Sequence, residues 1–170
     1  MRQLFRNRWF IVFLLLLLMA AVCLLPFPRT IKVTQQGVLW ACDSPDLEQI
    51  TTVTIHGTYW DHLLLEDKFE GSVRVEAFPE TQGQISVVPM GEGQYVLWYA
   101  DKEMLMKAFG GMFLRPDGSV MLLIHEEGQW DAQYGKVLTA PASTREEAVA
   151  LTNELAKELS PNWLGSWTFK

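Results

Sequence analysis

Seventeen consecutive residues, Trp9 to Leu25 (WFIVFLLLLLMAAVCLL), carry no charge. Such a run must be buried in lipid or in a core, and as an α-helix at 1.5 Å per residue it covers about 26 Å, close to the hydrocarbon thickness of a bilayer. Arg2, Arg6 and Arg8 precede it, and Pro26 and Pro28 follow it. Proline lacks the N–H that a helix needs, so the helix is expected to stop there. We expect an uncleaved single-pass signal-anchor over residues 9–27, behind a cytoplasmic tail, 1–8, too short to hold a signalling domain. The rest of the chain then lies outside the cytoplasm at the cell membrane. Arg29 and Lys32 on the far side keep the positive-inside bias modest. Two other fates fit less well. Signal cleavage wants small residues in an A-x-A arrangement, which AVC meets imperfectly, and lipidation at Cys23 wants a small residue where Val22 stands.

Beyond the anchor, the chain reads as a membrane-proximal linker or short strand, 28–49, and one domain, 50–170. Residues 29–170 hold all 20 acidic residues against 11 basic ones, a formal charge of −9. That field repels phosphate backbones, so nucleic acid is excluded as a partner. Cys42 is the single cysteine of this part. No disulfide can staple the domain, and the fold must rest on its core.

From Thr51 the hydrophobic period becomes two. Val53, Ile55 and Gly57 alternate with Thr52, Thr54 and His56, and later Phe69, Gly71, Val73 and Val75 alternate with Glu70, Ser72 and Arg74. Both are strands with one wet face. Further strands are expected in GQISVVP and GQYVLWYA, with Tyr95, Leu97 and Tyr99 on one face and Trp98 buried. In GGMFLRPDGSVMLLIHEEG two apolar runs flank RPDGS, where proline pre-sets the first torsion and Gly118 supplies a positive φ for a hairpin. Val120, Leu122 and Ile124 on one face and Met121 and Leu123 on the other are all apolar. Something must therefore cover that sheet on both sides.

The expected cover is the helix from Ser143 to Leu159. Ser143 stands three residues before Glu146 in capping-box spacing. Ala148, Leu151, Leu155 and Leu159 form an apolar stripe opposed by Arg145, Glu147, Glu154, Lys157 and Glu158. The fold class expected is α+β: an N-terminal transmembrane helix, then a curved, mainly antiparallel sheet of roughly six to eight strands with the C-terminal helix packed on it.

The chemistry-bearing residues also fit structural roles. His56 and His62 share one side of an unbroken strand but lie about 20 Å apart there, too far to share a metal. The acidic pairs Glu66–Asp67, Glu126–Glu127 and Glu146–Glu147 sit at strand ends or in a first helical turn, where negative charge complements the helix dipole. No nucleophile elbow or phosphate loop is present. No metal, cofactor or catalytic residue is expected. The aromatic content points to binding instead, and Trp130, Trp163 and Trp167 are the candidate surface rings.

The stretches VTIHGTYWDHLLLEDKFEGSVRVEAF and LTAPASTREEAVALTNEL resemble bacterial proteins of unassigned function that carry an N-terminal anchor. In those a GEY...LF..D.F.G.I.I run opens a sheet and an APA..REEA...N.L helix closes the domain. The resemblance covers residues 50–158 and implies no catalytic residue. The expected function is a membrane-anchored, non-catalytic binding module of the cell envelope, held by residues 9–27, with an envelope protein or polymer as partner. The alternatives are a small envelope hydrolase using Asp61 with Glu66 or Glu127, and an acidic immunity or inhibitor protein.

Overall fold

The computed structural model describes residues 2–62, 66–83, 85–91, 93–100, 103, 105–126, 129–162, 164 and 166–170, with side chains of the first helix described over 8–19. The elements are α1 (Arg2–Leu24), β1 (Phe27–Ala41), β2 (Glu48–Asp61), β3 (Lys68–Val75), a 3-10 turn (Pro79–Gln82), β4 (Ile85–Gly91), β5 (Gln94–Ala100), β6 (Met106–Leu114), β7 (Val120–Ile124), β8 (Lys136–Ala140) and α2 (Arg145–Leu159).

The eight strands form one antiparallel sheet in the order β3-β2-β1-β8-β7-β6-β5-β4. It is curled nearly into a barrel, with α2 packed on the outside. In the middle of this order β1 pairs β8, Val38 opposite Thr139 through Ala41 opposite Lys136, which joins β1–β3 to β4–β8. β3 and β4 are the end strands, with no ladder between them among the described residues, and the 3-10 turn that links them in sequence lies at that seam. Thr81 is buried there; its hydroxyl accepts from the Val75 N–H at 2.8 Å, while the Gln82 side chain donates to the Val75 carbonyl at 2.9 Å. Side chains thus replace the ladder bonds that Val75 lacks on its open edge.

The period-two pattern assigns the two faces. Val53, Ile55, Phe69, Val73, Val75, Tyr95, Leu97, Met112, Val120, Leu122 and Leu138 fill the interior. Gly57 and Gly71 stand opposite each other inside this wall, and the Phe69 ring lies over both. A Cβ on Gly57 would meet the Glu70 carbonyl oxygen at 2.4 Å, so only glycine lets the ring close onto the strands. Phe69 then meets Tyr95 edge-on at 6.2 Å.

A second core lies outside the barrel. Val38, Trp40, Phe113, Met121, Leu123 and Val137 point outward and are buried beneath Ala148, Leu155 and Ala156 of α2 and Leu164 and Phe169 of the tail. The two-faced apolar strand β7 has its cover where the sequence placed it. The stripe is shifted, however: Thr152 is buried, and its hydroxyl bonds Thr139 at 2.6 Å, whereas Leu151 and Leu159 are only partly buried. The cap is shifted by one residue too. Thr144 is the N-cap, accepting from the Glu147 N–H, and the Glu147 carboxylate reaches back to Ser143. The spacing of three recurs in Thr144–Glu147, and this register lets Arg145 donate to the carbonyls of Ala41, Ser44 and Lys170 while stacking 5.1 Å from the Trp40 ring.

Two further expectations need correction. Residues 28–49 hold more than a linker or short strand: β1 opens at Phe27, runs 15 residues to Ala41 and pairs β2 along its length, because its alternating residues carry an interior face, Ile31 and Leu39, and an outer one, Val38 and Trp40. Trp98 is half-buried rather than buried, since alternation with the inward-facing Tyr95 and Leu97 sets it on the outer face of β5. For residues 9–27, α1 ends at Leu24, and among the described residues no helix is long and apolar enough to cross a membrane.

Candidate functional site

Two features of the surface bear on function: an acidic mouth at one end of the barrel and an apolar wall on its side. The mouth forms where the segment after β2, the β4–β5 turn and the end of α2 converge. Tyr59, His62, Glu66, Asp67, Glu158 and Asn162 help line an open cleft of about 470 Å3. Asp67 is held on both oxygens, accepting the His62 backbone N–H at 2.8 Å and the Tyr59 hydroxyl at 3.0 Å. Burial, then Asp67, drives the Tyr59 phenol far above its usual range, and burial pushes Tyr95 up to about 12. Both phenols stay protonated at neutral pH and neither can act as a base. Glu158 is tied to Arg115, which also holds Glu154 at 2.7 Å. Glu66 is exposed, with its carboxylate beside Gly91.

The acids of the hydrolase alternative are not assembled by this geometry. Asp61 pairs with Arg29 at 3.0 Å, outside the mouth that contains Glu66, and Glu127 lies outside the described residues. His56 is exposed on β2, and His62 is half-buried beyond its end. Among the described residues no group of three or more His, Cys, Asp or Glu side chains could hold a metal ion. Cys42 packs against the outer core, and burial pushes its thiol up to about 11, which keeps it protonated and unreactive.

The candidate rings separate. Trp130 is half-buried against the outer core, tilted 6.3 Å from Phe169. Trp167 is 44% exposed on the tail. Trp163 lies outside the described residues.

The apolar wall was not anticipated. On the outer face of β4, β5 and β6 the register sets Val88 opposite Val96 and Trp98 opposite Ala108, with Met90 and Met106 toward the two ends. Val88, Met90 and Met106 are exposed, and Val96, Trp98 and Ala108 are half-buried. The signal was in the sequence: β5 is apolar at Val96 and Trp98 as well as at Tyr95 and Leu97, the same two-faced pattern as β7. On the outer face of β1–β3 the corresponding positions are polar, with the Thr34 and Thr54 hydroxyls 3.3 Å apart across the strands.

The fold thus defines an α+β protein, an antiparallel sheet curled nearly into a barrel with a helix on its flank. Comparison with protein-family models, with curated proteins and with solved structures found no match for this chain.

Proposed function

We propose that the chain is a membrane-anchored binding module of the cell envelope that works without catalysis, presenting the outer wall of β4–β6 to an envelope protein. The observation that carries the reading is the wall itself: Val88, Met90 and Met106 are exposed beside Trp98 and Val96, with no cover among the described residues comparable to α2. Exposed apolar surface of this kind marks interaction sites. The anchor is supported by the uncharged run Trp9–Leu25, by its continuation as helix to Leu24, and by the outward exposure of every described side chain from Trp9 to Met19. The arginines before the run favour an extracytoplasmic domain.

A photo-crosslinking residue at Val88 or Trp98, in intact cells, should capture one defined envelope protein. The same probe at Ser72, on the polar wall of β3, should not. Turnover of an envelope polymer by the purified protein, abolished by alanine at Asp61 or Glu66, would replace this reading with the hydrolase. A reporter active only after export, fused at the C-terminus, should be active; if only a cytoplasmic reporter works, the orientation is reversed.

A further inference from the structure

We infer that the end of the barrel nearest α1 rests in the headgroup layer of the bilayer, so that the domain stands end-on instead of swinging from a tether. This rests on the anchor proposed above. The junction carries the argument. α1 ends at Leu24 and β1 opens at Phe27, three Cα steps that reach at most about 11 Å. Pro26, inside those steps, has a fixed φ. From its first residue β1 is held by β2, Phe27 opposite Asp61 and Pro28 opposite Trp60, and Trp60 in turn pairs Lys68 of β3. No slack remains to lift this end away from the point where α1 leaves the lipid.

The side chains at this end suit that position. Leu25 and Phe27 are exposed, and Trp60 is half-buried beside them. Gly91 lies against Glu66 and Gly93 against Leu159, which brings the β4–β5 turn to the same end. Met90, at 66% exposure, is therefore on the rim, while Met106, at 55%, lies at the opposite end, opposite Ala100 where β5 stops. Aromatic and flexible apolar side chains are at home at the lipid–water boundary. Charge does not supply the attraction. Arg29 is neutralised by Asp61 and Lys68 by Glu70, and Glu66, Asp67 and Glu158 leave the mouth acidic. The contact should therefore depend on apolar insertion and be insensitive to salt.

The full chain, with Cys23→Ala and Cys42→Ser, is reconstituted into phosphatidylcholine vesicles containing a fraction of headgroup spin-labelled phosphatidylcholine. Met90→Cys or Met106→Cys then carries a single fluorophore at an exposed site. The Met90 label should be quenched by the lipid-borne spin label and shielded several-fold from iodide, relative to the Met106 label, at both 0.1 and 1 M salt. Equal iodide access for the two labels, in protein that still floats with the vesicles, would overturn the docked end while leaving the anchor standing. Loss of the Met90 shielding at 1 M salt would overturn the apolar contact. Protein that does not float with vesicles at all would remove the anchor and this inference together.

Discussion

The outer faces of β7–β8–β1 and of β4–β5–β6 are built from the same kind of residue and meet different fates. The first presents Met121, Leu123, Val137, Val38 and Trp40, all buried under α2 and the C-terminal tail. The second presents Val88, Val96, Trp98 and Met106, and retains exposure. A strand that is apolar on both faces announces a cover without saying where the cover comes from. In one case it is the chain's own helix; in the other, on our reading, it is a partner.

The largest expected effect separates the two faces directly. Leu155→Asp places a charge into the interface beneath α2, where Leu155 is fully buried, and should cost about 3 to 5 kcal/mol. Val88→Asp on the open wall should change stability by no more than about 0.5 kcal/mol while abolishing capture of the partner. Denaturant unfolding of the full chain in detergent measures both. Equal losses at the two positions would erase the distinction.

A smaller effect tests the polar contact within the covered face. Thr139 and Thr152 share a buried hydrogen bond, and the Trp40 indole N–H points to Thr139 Oγ1 at 3.4 Å. Thr152→Val should cost about 1 kcal/mol by leaving one hydroxyl short of a partner, and Thr139→Val about 2 kcal/mol because the indole N–H is stranded as well. The double variant should cost less than the sum of the two. Strict additivity would mean that the pair contributes nothing beyond packing.

The smallest effect sits where β7 leaves the covered face. Burial lowers the pKa of His125 below its usual 6.5, and its Nδ1 is buried without a partner among the described residues. With the folded value below the unfolded one, the stability tied to neutral His125 is present above pH 6.5 and is lost as pH falls through the folded value. A His125→Asn variant should show a flatter pH dependence of unfolding between pH 7 and pH 5 than the parent. Identical slopes would assign the acid sensitivity to the carboxylates.

Much of the sheet was legible residue by residue. The alternation in β2 and β3 is expressed because one face of each is wet, and RPDGS turns where Gly118 takes φ +93°. The full length of β1 was not legible because Pro28, Gln35, Gln36 and Gly37 resemble a connector, while their strand character depends on pairing with β2, whose sequence lies some twenty residues on. The stripe of α2 came out one step rotated, since Thr152 buries its hydroxyl only when Thr139 is there to bond it. No local pattern encodes that partner.

Hydrophobic period and turn chemistry are short-range properties, so the sequence by itself determined the apolar first helix, most strands, the Gly118 hairpin and the covering role of α2. Which strands closed on each other, which of two equally apolar walls α2 would cover, and how Tyr59, His62, Asp67 and Glu158 came to surround one mouth were decided only by the tertiary structure. The β1–β8 pairing joins residues about a hundred positions apart, and α2 can lie on only one flank. That choice rests on the fit of Leu155 and Ala156 over Trp40 and Leu123, and of Arg145 against the carbonyls of the β1–β2 turn, contacts that exist only once the barrel has curled.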